Sequence, residues 1–267
     1  MAIEMSRSSQ DALAHYPLAS ESAEGIPRTA VEEAVARSMV ATACRILAHQ
    51  GLAADILGHV STRADNDSIW VRCRGPQERG LLFTRPDDIR RVPLVGRTDL
   101  PDGYAVPNEL PIHSEIMRAR PDVQAVVHVH PPAVVAADIA GLTLRPIVGA
   151  FNIPAMRLAS DGIPVYPRSV LIRRTELGRA VADALGMKHV CVLRGHGIVT
   201  TGETVQQAVV RALNLEALAR LTLDASAHGD PEVLSAEDAA ELPDLGSTFN
   251  DQFVWHSLLA KLDHDGL

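Results

Sequence analysis

The sequence predicts an α/β protein built on one mixed, largely antiparallel sheet with helices packed on both faces. Three observations carry that reading. Strand-like and helix-like stretches alternate along the 267 residues. The apolar runs that read as buried strands, Val123 to Val129 and His189 to Leu193, are short, and proline or glycine follows each within a few residues. Short hairpins and short crossovers outnumber long strand–helix–strand units, which favours antiparallel pairing.

The elements follow in order. Residues 1–27 are polar and mixed in charge, with no apolar signal core, and are expected to form an N-terminal arm. Residues 28–267 are expected to form a single domain that includes a C-terminal helical segment. Thr29 with Glu32 reads as a capping box that opens a helix running to about Gln50, with Gly51 as its stop. The loop Gly58 to Arg63 leads to a hairpin whose strands are Ile69 to Arg74 and Gly80 to Thr84. Asp87 to Gly103 is charged and irregular, with room for further short pairing. Glu109 to Arg120 is a helix ended by Pro121, with Pro111 tolerated in its first turn. The strand ending in His128-Val129-His130 follows, and Pro131-Pro132 leads into a short helix over Ala133 to Ala140. Pro146 to Pro167 is loop-rich. Thr175 to Leu185 is a helix stopped by Gly186, and the second buried strand then ends in Arg194-Gly195-His196-Gly197. Glu203 to Ala227 is a long helix, Asp230 to Asp244 an exposed acidic stretch, and Thr248 to Asp263 a closing amphipathic helix.

Bulk numbers exclude several classes. With 46% hydrophobic and 22% charged residues the chain is ordinary globular material. A net charge of −8, no basic run and 3% aromatics argue against nucleic acid. No apolar run reaches the roughly 20 residues of a membrane span. Cys44, Cys73 and Cys191 have no metal spacing and read as reduced thiols of a cytoplasmic protein.

The chemistry gathers at strand ends. In a strand, residues i and i+2 share a face, so His128 and His130 aim at one point where the strand runs out. An H-x-H pair alone is a weak motif. His196, between two glycines after the second buried strand, supplies a third imidazole. Three nitrogens leave an open position, the pattern of a catalytic metal. Glu109 is a fourth ligand or a general acid/base beside the metal; its bland reading is an anion favoured by a helix N-terminus. His113, one turn on, supports a ligand or takes part in catalysis; on its own it reads as a surface histidine. Arg194 suits a bidentate hold on a carboxylate, or else pairs with an acid at the core edge. His59, Ser61 and Arg63, on a glycine-initiated loop, suit an anionic group. Nucleotide, phosphate-loop and serine-hydrolase signatures are absent.

Taken together, Glu109-x-x-x-His113, His128-Val129-His130 and Gly195-His196-Gly197-x-x-x-x-Gly202 resemble the class II aldolase/adducin family over about Ala30 to Leu223. The resemblance implies a three-layer α/β/α fold with a central, mainly antiparallel sheet. It also implies a homotetramer with active sites at subunit interfaces. One divalent metal per subunit, Zn²⁺ or Mn²⁺ with Fe²⁺ and Co²⁺ as further choices, is implied on His128, His130 and His196, with Glu109 as the catalytic glutamate that can also ligate. The sequence departs from the sugar-phosphate members. Gly58-His59 stands in place of their Gly-Asn, Pro107-Asn108 in place of two serines, and Arg85-Pro86-Asp87-Asp88 in place of a Ser-Gly phosphate turn. A phosphate cradle needs N–H groups and hydroxyls, whereas Pro107 removes a donor and the two aspartates repel the dianion. These variants look like the decarboxylase branch, which acts on hydroxylated aromatic or pyridine carboxylates, dihydroxyphthalate types among them. The expected ligand is therefore a small-molecule carboxylate held by Arg194 with His59 or Arg85. An aldolase or epimerase on a hydroxy-acid or sugar phosphate is the alternative, and a non-catalytic scaffold of the adducin kind a third.

Overall fold

The computed structural model describes residues 30–96 and 99–267; the expected arm over residues 1–27 and the Thr29 cap lie outside them. Helix α1 (Ala30–His49) buries Ala36, Met39, Val40, Ala43 and Leu47 at three- and four-residue spacing, and Gly51 follows at φ 77°. Strands β1 (His59–Arg63) and β2 (Ser68–Arg72) form the first hairpin, and β2 then pairs with β3 (Ile89–Pro93).

Here the sequence expectation is corrected. Gly80 to Thr84 is no strand: Leu81–Phe83 is a 3₁₀ turn, with Leu81 buried and Phe83 exposed. In a strand those two side chains would share a face. Gly80, at φ 93°, turns the chain so that the Leu81 N–H reaches the Asp55 carbonyl at 2.8 Å, and the run packs beside α1 instead. The pairing falls to β3, the short pairing for which the Asp87 to Gly103 stretch left room. The Gly58 to Arg63 loop is likewise strand β1.

Helix α2 (Leu110–Ala119) precedes β4 (Ala125–Val129), and α3 (Pro132–Ile139) follows it. The stretch read as loop-rich contains α4 (Ile153–Ser160) and β5 (Val165–Tyr166). Asn152 starts α4 by accepting the Ala155 N–H at 3.0 Å, an ordinary N-cap ahead of a proline-bearing first turn. Helix α5 (Thr175–Leu185), β6 (Val190–Leu193), β7 (Gly197–Gly202) and α6 (Val205–Ser226) complete the body. The acidic stretch holds a short exposed helix, α7 (Ala236–Glu241). A π-helical turn (Thr248–Phe253) leads into α8 (Val254–His264). Trp255 is an apolar anchor of that helix, buried in the core.

The strands make one seven-stranded sheet in the order β3-β2-β1-β4-β7-β6-β5. Every pairing is antiparallel except β5 with β6. Two apolar cores flank it, so the architecture is three-layer α/β/α. One core packs Ala125, Val127 and Val129 of β4 with α1, α3, α4, α6 and α8. The other packs Val126 with α2 and α5. By strand alternation His128 shares the face of Val126, towards α2. The three cysteines are buried and unpaired, and burial pushes each thiol up to about 12. Among the described residues no helix is long and apolar enough to cross a membrane.

Candidate metal and catalytic site

The centre of the site is the meeting of β4, the β6–β7 turn and the start of α2. His128 ends β4 fully buried, and its Nδ1–H donates to the Ile198 carbonyl of β7 at 2.9 Å. That bond fixes the tautomer and leaves Nε2 with a lone pair, the usual arrangement behind a metal-ligating histidine. His130 continues past the strand end, its Nε2 3.1 Å from the Nε2 of His128. The chain after it is pinned by Glu216 of α6, a buried carboxylate that accepts the Ala133 and Val134 N–H groups at the start of α3. His196 sits in the three-residue turn between paired Leu193 and Gly197, made possible by Gly195 at φ 57°. Glu109 is the N-cap of α2. Its Oε2 lies 3.4 Å from His128 Nε2 and 3.5 Å from His196 Nε2, while its Oε1 accepts the Ile172 N–H at 2.7 Å.

One ligand atom each from Glu109, His128, His130 and His196 lies within 4.8 Å of the others. The donor set fits a divalent metal. Both ring nitrogens of His196 are buried without a hydrogen-bond partner among the described residues, a costly state that a bound cation relieves at one of the two. Electrostatics agree. Burial pushes the Glu109 carboxyl up, but the facing imidazoles of His128 and His196 and the Ile172 N–H outweigh it and hold the group well below the usual carboxylate range. Burial and the neighbouring His128 push His130 down to about 3, so its imidazole stays neutral and its lone pair available.

A second layer adjoins the first. His59 is the cross-strand partner of His128, with ring centroids 5.0 Å apart. Its Nδ1 lies 2.6 Å from His113 Nε2, and His113 Nδ1 lies 2.6 Å from Ser61 Oγ. All three side chains are buried. Desolvation and the nearby imidazoles hold His59 well below its usual value, and push His113 down to about 3.

The three arginines expected to hold substrate also make contacts within the chain. The Arg63 guanidinium is buried and donates to the Met117, Arg120 and Val123 carbonyls, tying β1 to the end of α2. Arg194 Nε lies 3.4 Å from Oδ1 of Asp138, whose Oδ2 accepts the Gly195 N–H at 2.6 Å. This is the core-edge acid of the bland reading, and it braces the turn that carries His196. Arg85 is exposed at a 3₁₀ turn and lines a cavity of about 360 Å³ with Arg72, Glu78 and Tyr104, which none of the site histidines lines. Two site groups escaped the sequence altogether: the Ile172 N–H and the Ile198 carbonyl. Both are backbone atoms, which no residue type announces.

Gly197 is a further requirement. A Cβ there would stand 2.4 Å from the Val129 carbonyl and 2.6 Å from His130 Cδ2. Gly197→Ala is therefore expected to cost about 1–3 kcal/mol of stability and to displace His130. Denaturant unfolding and metal content of the purified variant check this; a variant unchanged in both would show that β7 gives way freely.

The comparisons agree with this geometry. The description "Class II Aldolase and Adducin N-terminal domain" matches residues 38–223. The chain is 53% identical over 232 residues to a 3,4-dihydroxyphthalate decarboxylase of Arthrobacter keyseri, spanning 85% of this chain and 94% of the relative. It is 50% identical over 233 residues to a 3,4-dihydroxyphthalate decarboxylase of Terrabacter sp. (strain DBF63), spanning 86% of this chain and 98% of the relative. In fold it is similar to the crystal structure of an aldolase II superfamily protein from Pseudomonas syringae, with a TM-score of 0.74 at 22% identity over 90% of this chain and 96% of that one. With its sheet, its histidine–glutamate cluster and these relatives in agreement, the chain belongs to the class II aldolase and adducin family.

Proposed function

We propose that this protein is a metal-dependent decarboxylase of a hydroxylated aromatic dicarboxylate, with 3,4-dihydroxyphthalate as the first candidate substrate. The cluster of Glu109, His128, His130 and His196 within 4.8 Å is the observation that carries the chemistry. The two relatives of about half identity and nearly full length carry the substrate class. Glu109, His128, His130 and His196 would hold a divalent metal, whose Lewis acidity would stabilise the electron pair left on the ring when the carbon–carbon bond breaks. Three imidazoles and a carboxylate suit Zn²⁺ or Mn²⁺.

The chain's own residues do the rest. One carboxylate leaves as carbon dioxide, its bonding electrons stay on the ring carbon, and a proton takes its place. Glu109, an ionised carboxylate with Oε1 held by the Ile172 N–H and Oε2 facing His128 and His196, takes a proton from a ring hydroxyl or a water and passes it to that carbon. His59, against His128, faces the substrate. Arg63 and Arg194 act as braces through their carbonyl and Asp138 contacts, and Arg85 lines a cavity with Arg72, Glu78 and Tyr104. By family resemblance the enzyme is a homotetramer whose pocket a neighbouring subunit completes. The three buried thiols suit a reducing cytoplasm.

The test is carbon dioxide release from 3,4-dihydroxyphthalate and from other ortho-hydroxylated benzene and pyridine carboxylates, with and without a chelator. Chelator-sensitive release from the dihydroxyphthalate is expected. A folded, metal-loaded protein that releases none, yet cleaves a sugar phosphate, would sink the decarboxylase in favour of an aldolase.

A further inference from the structure

Ser61, His113 and His59 form a buried file that ends at the metal-binding histidines, and the two hydrogen bonds in it have a direction. A neutral imidazole carries one N–H, so only two arrangements exist. In one, Ser61 donates to His113 Nδ1, His113 Nε2–H donates to His59 Nδ1, and His59 carries its proton on Nε2. In the other every bond is reversed, and His59 Nε2 is a bare lone pair.

Ser61 decides between them. It is 0% exposed, and His113 Nδ1 is the one hydrogen-bond partner of its hydroxyl among the described residues. In the reversed arrangement that hydroxyl proton would be buried with no acceptor, whereas the other arrangement puts its free proton on His59 Nε2, an atom that is not fully buried. Orphaned buried donors are the rarer and costlier fault; an under-used lone pair is tolerated. Ser61 therefore donates, and the direction passes through His113 to the far side of His59.

We infer that Ser61 and His113 are positioning residues that lock His59 into the Nε2–H tautomer, so that His59 offers the site a hydrogen-bond donor for a substrate oxygen. This assigns His59 a role distinct from its neighbour. His128 donates from Nδ1 to a carbonyl and keeps Nε2 free for a metal. His59 accepts at Nδ1 and presents a proton instead, which makes it no ligand although its ring lies 5.0 Å from that of His128. A donor at this point suits a carboxylate or a phenolic oxygen; that choice of substrate class rests on the decarboxylase reading.

Two measurements test the inference. In metal-free protein labelled with [¹⁵N]histidine, long-range proton–nitrogen spectra report which ring nitrogen of His59 carries the proton, assigned by the signal lost in His59→Gln. Nε2–H is expected in the wild type; Nδ1–H there overturns the inference. In the metal-loaded enzyme Ser61→Ala is expected to raise KM about tenfold, the worth of one hydrogen bond to a charged group, with kcat and metal content held. In the His59→Gln background, whose amide donates whatever Ser61 does, Ser61→Ala should add nothing. An equal penalty in both backgrounds marks Ser61 as merely structural and overturns the relay. Absence of decarboxylation by the wild type would defeat the functional reading, while the nitrogen spectra still decide this one.

Discussion

His128→Ala is expected to give a folded protein that retains little divalent metal and releases carbon dioxide about 10³-fold more slowly. The size follows from what the imidazole holds. Lewis-acid stabilisation of developing charge is worth several kcal/mol, and each 1.36 kcal/mol is a tenfold change in rate. The fold should survive because His128 makes one hydrogen bond to the sheet, from Nδ1 to the Ile198 carbonyl, while β4 keeps its full ladder to β1 and β7. The alanine leaves a hole in a fully buried place, so some loss of melting temperature is also expected. Metal content by elemental analysis, unfolding by circular dichroism and carbon dioxide release on one preparation separate these effects. Full metal occupancy with unchanged turnover would refute the site. A non-catalytic scaffold has no use for metal binding that one imidazole controls, so the same preparation weighs against that alternative.

The site was legible where side-chain chemistry and strand parity coincide. His128 and His130 announce themselves because i and i+2 at a strand end must converge, and β4 sets that parity through Val127 and Val129 on one core and Val126 on the other. Glu109 is legible as an acid just before a helix with proline in its first turn. Strand β7 was not: Gly197-Ile198-Val199-Thr200-Thr201-Gly202 follows the turn without a break, and its glycines suggest a loop. The glycine at its start is there because β7 must pass against Val129 and His130. Arg194 looked like a substrate anchor by proximity in sequence, yet Asp138, its partner, lies on another element with no local signal. The Ser61–His113–His59 file spans β1 and α2, so only the packed sheet brings it together.

Glu109→Gln separates the two roles that the carboxylate can fill. Glutamine is nearly isosteric, so the Ile172 N–H should still find an acceptor at the position of Oε1 and the start of α2 should hold. What is lost is the anion at Oε2, within 3.5 Å of both His128 and His196. As a proton carrier Glu109 is expected to be worth about 10²–10⁴-fold in kcat. If metal content stays full while kcat falls by that amount, the carboxylate moves protons and the three imidazoles suffice as ligands. If metal content falls in parallel and excess metal restores much of the rate, Glu109 is the fourth ligand, because an amide oxygen is a far weaker donor than a carboxylate. A variant with wild-type kcat would remove Glu109 from both roles and leave its place at the N-terminus of α2, where the helix dipole favours an anion, as the whole reason for its presence.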